Sequence, residues 1–149
     1  MISLICEEYN ITNYIVNDDG SIDVNGDVDL WSRRLTELPL TFNKVTGSFN
    51  CRGNNLTRLK GSPRWVGSWF DCYNNRLTSL DHSPDYVGSW FDCSYNKLID
   101  NYCDTEIGGS FYTTLKQDGL LFDNNKATNY KEFQKLYKRK QILNDIFNM

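Results

Sequence analysis

The sequence of 149 residues repeats its own pattern every 21 residues, and this period restricts the possible folds more than any other feature. Each unit carries a phenylalanine, then a cysteine, an asparagine and a leucine at fixed offsets. The repeated positions are Phe49, Phe70, Phe91, Cys51, Cys72, Cys93, Asn54, Asn75, Asn96, Leu56, Leu77 and Leu98. A fixed period of about 20–50 residues predicts a solenoid, because each unit can bury its apolar face only against its neighbours.

The order of residues within one unit indicates the shape of a coil. Phe70 and Cys72 precede Asn75, and Leu77 and Leu80 follow it, with an alternation typical of a short strand before the asparagine. We expect like residues of successive coils to form rows on a narrow parallel sheet. An asparagine at each turn can bond backbone groups of its own and the neighbouring coil, which predicts an asparagine ladder.

This unit resembles the leucine-rich repeat, with Phe and Cys in the two strand positions. Its Asn-x-Leu-Thr-x-Leu segment is similar to repeats of bacterial effector proteins and of small leucine-rich repeat proteins encoded by bacteria and tailed phages. The resemblance is clear over 45–98 and fainter over 24–44, where Arg33 replaces the asparagine. It implies an α/β solenoid, a short stack of leucine-rich repeat coils with a parallel sheet.

Residues outside the repeats predict caps at both ends of the stack. We assign 1–23 to an N-terminal cap with a short helix and a hairpin that turns at 17–20, and 24–107 to the repeats. Residues 108–149 contain a degenerate last coil, followed by a helical pattern of apolar residues from Thr128. That helix is expected to cover the last coil, whose apolar edges would otherwise be exposed.

Charge and composition narrow the classes of partner. The chain has a net charge of −3, while residues 128–149 hold five basic and two acidic side chains, so the remainder is acidic. An acidic body disfavours nucleic acid, whose phosphates need a basic stripe. No segment reaches the roughly 18 apolar residues of a membrane span. An odd cysteine count and a short N-terminal apolar stretch followed by Glu7 and Glu8 favour a reduced cytoplasmic protein.

Candidate catalytic and metal-binding residues do not form a convincing set. The cysteine row runs along a line rather than converging on one point, so small core side chains are expected and no metal or cofactor is predicted. His82 is the lone histidine, in a loop, and Cys103 has no evident base. Asp71 and Asp92 would lie on adjacent strands as solvated acids. An enzyme would need Cys103, His82 and acids to converge, so we predict a non-enzymatic protein.

The outward rows of the sheet are the predicted binding site. They contain aromatic, acidic and basic side chains, and two tryptophans in one row are costly to leave in water. The predicted binding residues are Asn50, Arg52, Trp69, Asp71, Tyr73, Trp90 and Asp92. The alternative, that the rings pack on each other or beneath the caps, stays open. A second aromatic pair, Trp65 and Tyr86, is expected on the return side, packed into the convex layer.

These features predict a protein-binding module whose acidic face fits a partner with a basic face. The resemblance to phage proteins implies an inhibitor that covers the functional surface of a host or defence protein in the cytoplasm. One alternative is a binder that sequesters a nucleotide-like ligand with Trp69, Trp90 and Arg52 or Arg64. Another is a structural homo-oligomer that associates through the tryptophan row.

Overall fold

The computed structural model describes residues 1–99, 103–114, 116–117, 120–121, 128–129, 139 and 142–148. The chain winds as a β-solenoid of about four coils with parallel sheets. Helix α1 spans Ile2–Glu8. The strands are β1 Tyr14–Val16, β2 Ile22–Val24, β3 Val28–Asp29, β4 Phe42–Val45, β5 Phe49–Asn50, β6 Trp65–Val66, β7 Phe70–Asp71, β8 Tyr86–Val87, β9 Phe91–Asp92, β10 Glu106–Ile107, β11 Ser110–Tyr112, β12 Lys116–Gln117, β13 Leu120–Leu121 and β14 Thr128–Asn129.

Among the described residues, the strands form two six-stranded sheets and one small hairpin, β12–β13. Sheet A has the order β1-β2-β4-β6-β8-β10, and sheet B has the order β14-β11-β9-β7-β5-β3. Within the coils all pairs are parallel, and β1 and β14 pair antiparallel at the two ends. Each coil therefore contributes one strand to each sheet.

The register follows the sequence period. Phe49 pairs with Phe70 and Phe70 pairs with Phe91, so equivalent residues of successive coils are direct neighbours. The last step is one residue shorter, because Phe111 pairs with Phe91. The predicted solenoid, with like residues in rows, is confirmed.

The core between the two sheets consists of these rows. Phe49, Phe70 and Phe91 are fully buried, and their neighbouring ring centroids lie 5.6 and 5.0 Å apart. Burying each ring stabilises the fold by roughly 2–3 kcal/mol. The thiols of Cys51, Cys72 and Cys93 are fully buried beside them, as predicted for core side chains, and burial raises the pKa of each.

The asparagine ladder closes the turn after sheet B. Asn75 Nδ2 donates to the carbonyls of Cys51 at 3.0 Å and Cys72 at 3.1 Å, and its Oδ1 accepts from the Leu56 N–H at 3.0 Å. Asn54 and Asn96 repeat this pattern one coil away on either side. Each side chain thus joins its own coil to the preceding one, as the sequence predicts.

The second long side of each coil is not helical, so the expected α/β solenoid is not confirmed. Between residues 24 and 99 the structure contains no α-helix, and the return path carries the strands of sheet A. Val45, Val66 and Val87 form its buried row, and Trp65 and Tyr86 point away from the core. These strands are only two residues long in most coils, too short to show an alternating pattern in the sequence.

A row of glycines at the corner between the two sheets allows the coils to approach closely. A Cβ atom at Gly67 would collide with the carbonyl oxygen of Thr46, and one at Gly88 would collide with that of Gly67. The Gly67 N–H donates a hydrogen bond of 2.9 Å to the Val45 carbonyl, and the Gly88 N–H donates one of 2.9 Å to the Val66 carbonyl. The repeated glycines therefore set the spacing of the stack.

The predicted caps at the two ends of the stack are not confirmed. Cys6 of α1 is buried, and Ile2 packs against the core. Strands β1 and β2 pair across residues 17–20, as the turn residues predict. Residues 142–147 are helical, but Ile146 is 58% exposed and Phe147 is 82% exposed, so coverage of the last coil by this helix is not confirmed. Four of the five basic residues in the predicted C-terminal helical segment lie outside the described residues: Lys131, Lys135, Lys138 and Lys140.

Candidate functional site

On the outward side of sheet B, the seven predicted binding residues lie in neighbouring strands or within two residues of them. We call this surface the aromatic–acidic face, and it has three rows. The first row contains Trp69 and Trp90, the second contains acids and amides, and the third contains Arg52 and Tyr73. Its members are Asp29, Asn50, Arg52, Trp69, Asp71, Tyr73, Trp90, Asp92 and Tyr112.

The tryptophan row is a parallel stack. The rings of Trp69 and Trp90 lie 4.8 Å apart with an interplanar angle of 3°. This distance equals the spacing of adjacent strands, so the backbone register itself stacks the rings. Tyr112 contacts Trp90 edge-on, with centroids 6.3 Å apart. The rings pack on each other, as the packing alternative expects, yet both remain only half-buried and present part of their surface to solvent.

The middle row is held rigid by repeated side-chain turns. The Oδ1 atoms of Asn50, Asp71 and Asp92 accept the N–H two residues later, at 3.2, 2.9 and 2.9 Å. Asp29 makes the same bond with the Trp31 N–H at 3.0 Å and also accepts from Asn50 Nδ2 at 3.0 Å. These bonds therefore hold the carboxylates of the row in fixed positions.

Asp71 is buried, with 4% of its surface exposed, so the expectation of a solvated acid is wrong at this position. Loss of hydration raises the pKa of Asp71 to about 6, and the charge of Asp92 adds to this effect. The Tyr73 N–H and the Arg52 guanidinium, whose Nη1 lies 3.9 Å from Oδ2, oppose the rise in pKa.

The third row combines a cation with aromatic rings. The Arg52 guanidinium lies 5.1 Å from the Tyr73 ring centroid, and the Tyr73 ring lies 5.1 Å from that of Tyr95. Trp31 begins the same row and is 59% exposed. Sequence analysis missed Trp31, although it precedes Arg52 by one full period.

The other aromatic pair lies on the outward side of sheet A. Trp65 and Tyr86 stack with centroids 5.5 Å apart, and the Lys44 ammonium lies 4.9 Å from the centroid of Trp65. Trp65 is 38% exposed, so the expectation that it packs into the convex layer is wrong. Arg64, proposed for ligand binding, pairs instead with Asp85 at 3.1 Å.

His82, Cys103 and nearby acids, which the sequence offers as candidate catalytic residues, line one open depression of about 250 Å³. It is lined by residues that include Asp81, His82, Asp85, Cys103 and Asp104. The side chain of Cys103 is buried, with 4% exposed, whereas a nucleophilic thiol has to be accessible. Within the described residues, no group of three or more His, Cys, Asp or Glu side chains could hold a metal ion.

Comparisons of the whole chain with protein-family models, curated proteins and solved structures give no match. The helices found in the described part of the chain are too short or too polar to cross a membrane. Function therefore has to be argued from the aromatic–acidic face itself.

Proposed function

We propose that this protein binds another protein through the aromatic–acidic face and acts without catalysis. The observation that carries the proposal is the half-buried Trp69–Trp90 stack on a rigid sheet, beside a row of fixed carboxylates. Tryptophan and tyrosine dominate the energetic centres of protein interfaces, because they bury a large area with few rotatable bonds.

The charge of the face favours a partner with a basic surface. Asp29 and Asp92 are the accessible carboxylates of its middle row, while the Arg52 cation lies beside the buried Asp71. The chain as a whole also carries a net charge of −3. Complementary charge speeds encounter and selects among partners, while the aromatic rings supply most of the affinity.

Rigidity supports the same function. Backbone bonds between coils, the asparagine ladder and the side-chain turns hold the face in place before a partner arrives. A preorganised surface loses little conformational entropy on binding, so more of the contact energy is available as affinity. The mechanism we propose is occlusion, in which this face covers a functional surface of the partner.

The leucine-rich repeat resemblance extends the proposal. We propose that the coils are divergent leucine-rich repeats, that the terminal segments close the ends of the stack, and that the protein inhibits a host or defence protein in the cytoplasm. The resemblance to phage-encoded repeat proteins supports this extension.

The decisive test is the double variant Trp69→Ala/Trp90→Ala. Proteins captured from lysate of the native host by the wild type are identified, and their affinities for the wild type and for the variant are measured by calorimetry. We expect the double variant to lose at least about 100-fold in affinity, since each tryptophan anchor contributes about 2 kcal/mol or more. Circular dichroism should show an unchanged fold.

The matched control is Trp65→Ala/Tyr86→Ala, which removes a stacked pair from the outward side of sheet A. We expect this variant to bind as the wild type does. Equal affinity of the wild type and the Trp69→Ala/Trp90→Ala variant for the captured partner would reject the proposed surface.

Two further measurements separate the alternatives. Native mass spectrometry of protein purified from cells would reveal a retained small ligand stacked on Trp69, Trp90 and Arg52. Light scattering would reveal a homo-oligomer built through the tryptophan row. A ligand-free monomer is the result that the protein-binding proposal expects.

A further inference from the structure

Each coil has a third side, which joins the asparagine turn to the next strand of sheet A. In one such segment, Leu56 and Leu59 are buried while Arg58 between them is exposed, so the exposed side chains point away from the core. The Arg76 N–H donates to the Leu56 carbonyl at 2.9 Å, which joins this side to the next coil. The segments that form the third side are 34–40, 55–61, 76–82 and 97–99.

Positive charge collects on this third side. The four segments carry five exposed cations against the acids Glu37 and Asp81, in a chain whose net charge is −3. None of the five cations forms an ion pair with a described residue, unlike Arg52 and Arg64 on the two sheets. We call this surface the basic side, and its cations are Arg34, Arg58, Lys60, Arg76 and Lys97.

The cations of the basic side follow the axis of the solenoid. Arg34, Arg76 and Lys97 lie in one row, because whole periods of 21 residues separate them. Arg58 and Lys60 supply the charge of the coil between Arg34 and Arg76. Three steps of about 4.8 Å give the row a length of roughly 14 Å. The row two residues later consists of exposed threonines, Thr36, Thr57 and Thr78.

The pattern of the basic side fits a chain of phosphates. Arginine and lysine neutralise phosphates, and threonine hydroxyls donate hydrogen bonds to phosphate oxygens. The four segments contain no aromatic residue, although aromatics make up 14% of the whole chain. Single-stranded nucleic acid is held largely by stacking of its bases on aromatic rings, and a protein partner draws affinity from aromatic anchors. A side that offers only cations and hydroxyls therefore suits the backbone of a duplex.

We propose that the basic side binds the phosphate backbone of double-stranded nucleic acid without reading its sequence. The acidic body of the chain disfavours such binding on average, but the fold separates the charges onto different sides. Charges farther apart than about 8 Å are largely screened at physiological salt, so acids on the other sides oppose the binding only weakly. The basic side is separate from the aromatic–acidic face, so this inference goes beyond the proposed function and does not depend on it.

Fluorescence anisotropy with a labelled DNA duplex of about 20 base pairs tests this proposal from about 20 to 200 mM NaCl. We expect a Kd on the order of micromolar at the lowest salt. A plot of log K against log salt should have a slope between about −3 and −4, because a surface of this size contacts three or four phosphates. A duplex of unrelated sequence should bind equally well. No binding at the lowest salt would overturn the proposal, and so would a strong preference for one sequence.

Two matched double variants locate the binding surface. Arg76→Gln/Lys97→Gln removes two cations from the basic side, and Lys44→Gln/Arg64→Gln removes the same two residue types from sheet A. We expect the first variant to bind DNA at least about tenfold more weakly at 50 mM NaCl, with a slope smaller by about 2, and the second to bind within about threefold of the wild type. Circular dichroism checks that both variants fold. Equal losses would show that net charge, and not the basic side, is the cause, and would reject the proposal.

Two further measurements distinguish this proposal from its neighbours. A poly-glutamate peptide of equal total charge should bind more weakly than the duplex, whose phosphates are more densely spaced. Tighter binding of the peptide would assign the basic side to an acidic protein segment and overturn the proposal. The Trp69→Ala/Trp90→Ala variant should bind DNA as the wild type does while it loses the captured protein partner, so the two proposals can fail separately.

Discussion

Asp71 shows that equivalent positions of the repeat can lie in different environments. Asn50 holds the equivalent place one coil earlier and makes the same turn bond to the N–H two residues on. At Asp71, however, the carboxyl group is buried beside Asp92, and its pKa rises to about 6 because hydration is lost. The native state therefore binds this proton more tightly than the unfolded chain, where the pKa is roughly 4.

This difference predicts a pH-dependent stability. Because the folded pKa is raised, the neutral carboxyl favours the fold below about pH 4, and that stability is lost as the pH rises through about 6. Asp71→Asn keeps the turn bond and removes the charge. We expect the variant to be more stable than the wild type by about 1–2 kcal/mol at pH 7, and the two to converge near pH 4.

Urea unfolding between pH 4 and pH 8 measures this difference. Asp29→Asn is the control, because Asp29 lies in the same row and makes the same turn bond but is exposed. At pH 7 this substitution should change the free energy of unfolding by less than Asp71→Asn does. A pH-independent effect of Asp71→Asn would show that the buried charge is not the cause.

At the scale of the element, the asparagine ladder carries the connection between coils. Asn75 satisfies two carbonyls and one N–H in the interior, and no water can replace it there without opening the turn. The row of glycines at the corner between the two sheets brings the same coils together at the other end of the sheet B strands. The asparagine ladder and the glycine row therefore fix the strand spacing jointly.

Removal of one ladder side chain should be costly. We expect Asn75→Ala to lower the free energy of unfolding by about 3 kcal/mol, since buried polar groups of the backbone lose their partners. Asn55→Ala is the matched control, because its side chain makes no hydrogen bond among the described residues, and a change within about 0.5 kcal/mol is expected. Equal effects of both substitutions in urea unfolding would contradict the ladder's role.

At the scale of the whole molecule, each coil contacts mainly its two neighbours. Removal of one complete coil should therefore leave a shorter stack rather than an unfolded chain. Deletion of residues 66–86 joins Trp65 to Val87 and brings Phe49 opposite Phe91, which preserves every row. We expect cooperative urea unfolding with an m-value lower by roughly a sixth, in proportion to the surface buried.

Deletion of the half coil 66–75 is the control. It removes β7 of sheet B and one residue of β6 but retains residues 76–86, so the remaining coil cannot close and cooperative unfolding should be lost. If both deletions unfold with the same cooperativity, the coils are not the units of stability.

Much of this architecture could be predicted because the repeat samples each position several times. Phe49, Phe70 and Phe91, together with the cysteines and asparagines, are found in the structure where the period places them. Beyond its β1–β2 hairpin, sheet A was missed, since strands of two residues carry no periodic pattern. The burial of Asp71 was missed because the alternation of residues assigns it to the outward side of the strand, and only the folded stack shows that this position is covered.

The period of 21 residues was sufficient to establish stacked coils, their rows and the outward place of Trp69 and Trp90, because a repeated pattern has to satisfy the same contacts in every coil. Three-dimensional packing alone established the second sheet, the burial and raised pKa of Asp71, and the stacking of Trp65 on Tyr86. Each of these depends on which side chains adjacent coils place side by side, and a single repeat unit carries no record of those distances.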